Sequence, residues 1–411
     1  MNAMYQELGV RQVRHFSGLM KNLEHLILND GIKAEDAMAK LRQDSRVEYV
    51  QPNYILRVLP VNADPGPVAA APPSVCFLPG VQLPPGCIEA DGSNRPALQP
   101  APEDVNPPVE DPDLSLAYGL ATIGATQAWN TNVGSKDIIV ADIDTGADYN
   151  HEDLAFNMWR NPNPSSAGDV VGYDFIHNDG LPYDDNEHGT HTAGTIGAVG
   201  GNGIGISGVS PRVSLMAVKF LSGEGSGVTS DAIKAINYAV ANGARVLNNS
   251  WGGPADPNNQ ALSDAIDQAR QKGVLFVAAA GNDGKNSDTS SSPSYPASFK
   301  LDNILSVAAT DSNDRLASFS DYGPTSVHVA APGVNVYSTV PKNKYKKMSG
   351  TSMASPHVAG AAALVWANHP SWTYQQVKKA LMDTVDPIDG LQGKVSTGGR
   401  INVLKAISAS E

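Results

Sequence analysis

The chain has 411 residues, ample for one large domain plus accessory segments, and a formal net charge of −13. That acidic balance argues against a nucleic-acid binder. The longest apolar stretches fall far short of the ~18 residues that mark a membrane span.

Residues 1–59 read as a small α/β unit. Gln12 to His15 and Leu23 to Leu28 have strand character. Ala34, Ala37, Met38 and Leu41 fall at i, i+3, i+4 and i+7, one face of a helix, and Val47 and Tyr49 then alternate as a further strand. Met1 to Val10 lacks a basic start followed by an apolar run, so no signal peptide is visible and the chain is expected to begin inside a longer precursor. Residues 60–112 are rich in Pro, Ala and Asp with little periodicity, the composition of a semi-rigid linker. Within it Cys76 and Cys87 bracket a Pro/Gly loop, which a disulfide is expected to close in an oxidising compartment.

Residues 113–411 alternate strand and helix patterns, which predicts a parallel sheet with helices on both faces. Ile138 to Ile143 is a short apolar run ending in Asp144-Thr145-Gly146, which puts a carboxylate at a strand's C-terminal tip. Asp142 interrupts that run on the same side as Asp144, and a carboxylate buried there needs partners or a proton. His188-Gly189-Thr190-His191-Thr192-Ala193-Gly194 carries a histidine into a small-residue helix. Ser230 is read as the cap of a helix bearing Ile233, Ile236 and Val240, which stops at Gly243. Val246-Leu247 is the next strand. A second helix, with Leu262, Ile266 and Ala269, stops at Gly273 and feeds strand Val274 to Ala280, which ends in Gly281-Asn282-Asp283-Gly284.

Gly350-Thr351-Ser352-Met353-Ala354-Ser355-Pro356-His357 then places a serine between a glycine-led turn and a buried apolar helix, Val358 to Trp366. A serine hydroxyl becomes a useful nucleophile when a base removes its proton and donors hold the resulting oxyanion. Asp, then His, then Ser is one of three known chain orders for such a triad. In an open α/β sheet these groups meet at the C-terminal ends of the strands. Each motif alone has another reading. A single D-T-G is too few for an aspartic protease, which needs two such carboxylates. His188 and His191, three apart on one helix face, resemble a metal pair, but no H-E-x-x-H occurs and one histidine is needed as base. His191 is therefore read as structural.

Together D-T-G, H-G-T-H-T-A-G and G-T-S-M-A-S-P-H resemble the subtilisin-like serine proteases, or subtilases, from about Asp113 to the C-terminus. The resemblance implies a three-layer α/β/α fold with a mainly parallel central sheet. It implies that Asp144 orients the imidazole, His188 is general base and then general acid, Ser352 attacks the peptide carbonyl, and Asn282 donates to the oxyanion with the Ser352 N–H. A catalytically silent homologue kept for binding is the competing class.

The resemblance also assigns a cleft. Gly225-Ser226-Gly227 and Ser250-Trp251-Gly252 would sandwich an extended peptide by backbone hydrogen bonds. Trp251 to Gly253, Ala278 to Ala280 (Ala279 at the centre) and Ser294 would line the primary pocket. No buried acid is evident at its floor, so broad endopeptidase activity is expected, favouring large apolar or aromatic residues before the cut. The implied cofactor is Ca2+. One site takes Asp153, the Asn202 side chain and the carbonyls of Val199, Ile204 and Ile206, closed by Asp113 or Asp111. A second candidate is Asp174, Asp179, Asp184 and Asp185, where His177 and Leu181 replace oxygen side chains and a solvated acidic loop is the alternative. Val327-His328 stands where some members carry an Asp, so no third site is expected.

Arg46 to Asn53 resembles the end of subtilase inhibitory propeptides, small ferredoxin-like β-α-β-β-α-β units whose tail lies in the active-site cleft. The implied domains are a partial propeptide (1–59), a linker (60–112) and a catalytic domain (113–411). That alignment puts the processing bond near Leu59-Pro60. Proline after the scissile bond makes a poor substrate, so processing is expected later, between about Val61 and Asp113. The whole reads as a secreted, self-processed zymogen, monomeric, acting on proteins and peptides, inhibited by its own propeptide, with neither nucleic acid nor membrane as partner.

Overall fold

A computed structural model describes residues 3–59, 110–253, 259–291 and 293–410. Cys76 and Cys87, with most of the linker, lie outside the described residues. The N-terminal segment holds α1 (Ala3–Glu7), β1 (Val10–His15), β2 (Glu24–Leu28), α2 (Ala34–Leu41) and β3 (Ile55–Val58). The larger unit runs α3 (Tyr118–Thr122), α4 (Ala125–Ala128), β4 (Gly134–Asp144), β5 (Gly172–Asp174), α5 (His188–Gly197), β6 (Arg212–Lys219), β7 (Ser226–Val228), α6 (Thr229–Ala241), β8 (Val246–Asn249) and β9 (Trp251–Gly252). It continues with α7 (Gln260–Gln271), β10 (Leu275–Ala279), β11 (Ile304–Thr310), β12 (Val329–Pro332), β13 (Val336–Val340), β14 (Lys344–Met348), α8 (Thr351–Asn368), α9 (Tyr374–Asp383), β15 (Asp386–Pro387), β16 (Gly399–Arg400) and α10 (Val403–Ile407).

Nine strands form the central sheet in the order β15-β16-β12-β11-β10-β8-β4-β6-β5. Every pairing in it is parallel except β15 with β16. The period of two along each strand divides the interior into two cores. Val140, Leu215, Val246, Val277 and Val307 face α8 on one side. Ala141, Met216, Leu247, Phe276 and Ala278 face α6 and α7 on the other. This is a three-layer α/β/α fold. On β4 the even-numbered face carries Ile138, Val140, Asp142 and Asp144, so both carboxylates point into the layer that holds α8.

Three local expectations are corrected. Val47 and Tyr49 lie outside any strand. Their segment reaches across to the larger unit instead, and the Tyr49 hydroxyl donates to Asp264 Oδ2 at 3.0 Å. The N-terminal unit contains one two-stranded antiparallel sheet, β1 with β2, because β3 leaves it to pair with β7 and β9. Ser230 lies inside α6, whose cap position is Val228. The Ser230 N–H donates to Asn53 Oδ1 at 2.8 Å, so an N-terminal residue satisfies an orphan donor of that helix. Gln51 does the same at α7, accepting from the Ala261 N–H and donating to Asn259 Oδ1.

Helix α8 is buried on all faces for its first 16 residues, from Thr351 to Trp366. Nothing near it can relax into solvent. Leu364→Ala should therefore cost about 2–5 kcal/mol, read as a lowered denaturant midpoint at unchanged slope. A change under about 1 kcal/mol would contradict such tight packing.

Candidate active site

The sequence motifs converge at the C-terminal edge of the sheet. Asp144 ends β4, and His188 opens α5, where the His188 Nδ1–H donates to Asp144 Oδ1 at 2.7 Å. The same oxygen accepts from the Thr145 N–H at 2.7 Å. Both side chains are fully buried. Burial alone would depress the imidazole's pKa, but the Asp144 charge and hydrogen bond outweigh it and hold His188 above its ordinary value. His188 Nε2 and Asp144 Oδ2 have no hydrogen-bond partner among the described residues.

Ser352 opens α8, and its hydroxyl donates to the Ser250 carbonyl at 2.9 Å. Pro356 explains part of the local wiring. It has no N–H to bond the Ser352 carbonyl one turn back, and the Ser250 hydroxyl fills that place at 2.9 Å. Serine, histidine and aspartate are thus fixed by three separate elements whose starts and ends meet here.

Asn282 follows β10. Its Oδ1 accepts from both the N–H and the hydroxyl of Thr351, each at 2.9 Å. That orientation turns the amide's Nδ2–H toward the cleft, where it donates to the Leu59 carbonyl. Thr351 is a site residue that sequence reasoning missed, although it sits inside the serine motif. Asp321 is another. It is buried, accepts at Oδ1 from the N–H groups of Asp283 and Lys285 at 3.0 Å each, and so holds the Asn282 loop. Gly281, with φ at +121°, leaves room for it: a Cβ there would lie 2.1 Å from Asp321 Oδ2.

The cleft strands hold an occupant from the chain itself. β3 lies antiparallel between β7 and β9: Leu56 opposes Gly227, Arg57 opposes Ser226 and Gly252, and Val58 opposes Trp251. The Val58 N–H also donates to the Gly225 carbonyl at 2.9 Å. The Leu59 side chain then lies beside Gly252. A Cβ on Gly252 would stand 2.9 Å from Ser294 Oγ and 3.3 Å from Leu59 Cδ1, so that glycine is a gap the occupant uses. Ala279 is buried in β10 beside the Asn282 loop.

The cation candidates separate. Asp153 is fully buried. It accepts from Asn202 Nδ2 at 2.8 Å, the Ile206 N–H at 2.9 Å and the Tyr345 hydroxyl at 3.2 Å. Burial pushes its carboxyl up to about 8, with the Asp111 charge adding to the rise. Asp111, rather than Asp113, takes the loop's Gly201 and Gly203 N–H groups. Asp113 contributes its own N–H to the Gly205 carbonyl. The Asp153 and Asp111 carboxylates and the Asn202 amide, each bonded to the 199–206 loop, are oxygen donors of the kind Ca2+ takes.

The second group does not converge. Asp174 binds His177 and the Ile176 N–H, and Asp179 binds the Leu181 N–H. Asp185 is paired with Lys219 at 2.6 Å. Asp184 spends both oxygens on Thr145, Asn186, Glu187 and Thr190. Among the described residues no three His, Cys, Asp or Glu side chains gather as a metal site. His191 donates from Nε2 to the carbonyls of Val336 and Lys346, and burial pushes it down to about 3, a neutral structural histidine.

Comparison with known proteins agrees with this geometry. A family model described as the subtilase family matches residues 135–402. Over 291 residues the chain is 43% identical to a thermophilic serine proteinase of Bacillus sp. (strain AK1), covering 71% of this chain and 67% of that protein. It is 42% identical to thermitase of Thermoactinomyces vulgaris over 294 residues, 71% of this chain and 96% of the relative. It is 41% identical to subtilisin DY of Bacillus licheniformis over 270 residues, 66% of this chain and 91% of the relative.

Proposed function

The chain belongs to the subtilase family and is a serine endopeptidase, and from that premise we propose that it is made as a self-processed zymogen whose Asp144-His188-Ser352 triad cleaves after large apolar or aromatic residues. The observation that carries the reading is the seating of Ile55 to Leu59: an extended strand in the cleft, its last carbonyl on the Asn282 amide.

A substrate would replace that strand. Its backbone pairs with β7 and β9, which demands little of its sequence, and its carbonyl lies at Asn282 Nδ2. The Ser352 hydroxyl turns from the Ser250 carbonyl toward His188 Nε2, which takes the proton as the oxygen attacks. Asp144 holds the Nδ1–H so that the free nitrogen faces the serine, and it stabilises the imidazolium that forms. Asn282 Nδ2 and the Ser352 N–H receive the oxyanion. His188 then protonates the leaving amine, and water repeats the steps on the acyl-enzyme. Leu59 in the pocket supports the apolar preference.

The N-terminal segment serves as intramolecular inhibitor, and Pro60 on its leaving side keeps the Leu59-Pro60 bond a poor substrate. Maturation therefore cuts between about Val61 and Asp113. The active protein works outside the cell as a monomer. No helix among the described residues is long and apolar enough to cross a membrane. One Ca2+ is held by Asp153, Asn202, Asp111 and the loop carbonyls, bracing the start of the domain against the 199–206 loop.

Four outcomes test this. A chromogenic peptide with Phe or Leu before the cut should be hydrolysed by the native chain and not by Ser352→Ala, and equal rates would remove Ser352 as nucleophile. In a peptide library, strict preference for Arg at that position would overturn the pocket reading. N-terminal sequencing of the active form should fall between Val61 and Asp113, whereas a new terminus at Pro60 would refute the downstream cut. For the cation, excess EDTA should lower the melting temperature and added Ca2+ restore it; an unchanged melting temperature sinks the site.

A further inference from the structure

Asp142 is a fully buried carboxylate that takes no part in the proton transfers or in the binding of substrate. It lies two residues before Asp144 on the same face of β4. Its Oδ2 is 2.7 Å from the Thr192 hydroxyl, and Thr192 stands one turn beyond His188 on α5. Its Oδ1 accepts from Asn248 Nδ2 at 2.8 Å. Asn248 Oδ1 in turn accepts from the Ser355 hydroxyl at 2.7 Å, one turn beyond Ser352 on α8. Asn248 Nδ2 also reaches Ser250 Oγ at 3.1 Å, and that hydroxyl donates to the Ser352 carbonyl. One side chain thus ties together the elements that carry aspartate, histidine and serine.

We propose that Asp142 is a positioning residue that works as a neutral acid, locking α5 and α8 to β4 beneath the triad; this rests on the reading of Asp144, His188 and Ser352 as the reacting groups. The hydrogen-bond count favours the neutral form. Thr192 Oγ1 lies 3.0 Å from the Gly189 carbonyl as well as 2.7 Å from Asp142, yet a hydroxyl has one proton to give. With a proton on Asp142 Oδ2, the acid donates to Thr192, Thr192 donates to Gly189, and Asn248 donates to Oδ1, so every contact is satisfied. With Asp142 ionised, one of Thr192's two acceptors goes without.

The charged groups facing Asp142 are Asp144 on its own strand and His188 on α5; Thr192, Asn248 and Ser355 are neutral. Burial, and then the Asp144 charge, push the Asp142 carboxyl up to about 8 against the opposing pull of Asn248, Thr192 and His188. The folded state thus favours the proton. The stability this gives is complete below the ordinary carboxylate value and is lost as pH rises from about 4 to about 8. Above that range a second negative charge beside Asp144 holds the imidazolium more tightly, which makes His188 a poorer general acid toward the leaving amine.

Asp142→Asn reproduces the neutral acid's pattern, an acceptor toward Asn248 and a donor toward Thr192. Asp142→Val keeps the size and removes the ties. Both are made in the full chain, incubated until activity is steady, and normalised by burst titration of competent sites. The Asn variant should keep kcat within about threefold and lose the native alkaline descent near pH 8. The Val variant should lose about 10- to 100-fold in kcat with KM within about twofold, the scale expected for misplaced reacting groups. In a Ser352→Ala chain, which needs no activity, Asp142→Asn should raise the melting temperature increasingly between pH 5 and pH 9. A Val variant with native kcat overturns the positioning role. An Asn variant with the native alkaline limb, or a melting-temperature difference flat with pH, overturns the neutral acid. Hydrolysis by Ser352→Ala alone would instead remove Ser352 as the nucleophile, and the melting series still decides the state of Asp142.

Discussion

Everything at the reaction centre depends on a helix that has no freedom. α8 is sheathed by the sheet on one side and by α5, α9 and α10 on others, with 16 consecutive buried residues. Ser352 stands on its first turn, so its position is set by the close packing of the interior rather than by contacts of its own. Pro356 in that helix would ordinarily cost a hydrogen bond. Here the Ser250 hydroxyl takes over the freed Ser352 carbonyl, and the loss becomes a tie between the nucleophile's helix and the cleft strand beside it. The same residue's carbonyl receives the Ser352 hydroxyl, so Ser250 holds the nucleophile from two directions.

Around that fixed helix the site is assembled from buried polar groups that share partners. Asp184 grips Thr145 next to Asp144 and Thr190 next to His188, so one carboxylate sets the distance between two catalytic elements. The Lys219 ammonium sits on the Thr145 carbonyl, the Leu221 carbonyl and Asp185. Buried charges of this kind are tolerated only when every lone pair and proton is used. This explains the concentration of threonine, serine and glycine in the motifs. Hydroxyls supply the extra hydrogen bonds, and glycines let backbone approach backbone, as where a Cβ on Gly189 would lie 2.0 Å from the Gly146 carbonyl.

The fold was legible because its signals are local. Short apolar runs and glycine stops mark buried parallel strands and the helices between them, and β4, α6, β8, α7 and β10 lie where those signals fall. The triad's elements were legible through the length and order of their motifs. What escaped was set by partners distant in sequence. Val47 and Tyr49 alternate like a strand, but none forms there, and Asp264 accepts from the tyrosine hydroxyl 215 residues away. Ser230 looks like a cap, yet Asn53, 177 residues earlier, does the capping. The four acids from Asp174 to Asp185 look like one cluster in the sequence. In space Lys219 and the threonines draw Asp185 and Asp184 away. Asp142 was visible as an anomaly without a partner, since nothing in the sequence near it points to Thr192 or Asn248.

The cleft reads backbone, and that has a consequence for how the chain can restrain itself. β7 and β9 bond an extended strand through its N–H and C=O groups, which every non-proline residue carries. The seated strand meets that demand with its own backbone, pairing antiparallel with both neighbours at once. On the zymogen reading proposed above, an inhibitor differs from a substrate in the residue that succeeds the carbonyl at Asn282. For the strand seated here that residue is Pro60, whose nitrogen is tertiary and fixed in a ring. The segment is anchored by the β3 ladder and by Asn53, Gln51 and Tyr49, which hydrogen-bond to α6 and α7. The anchor thus lies at the helices α6 and α7, away from the Leu59 carbonyl at Asn282.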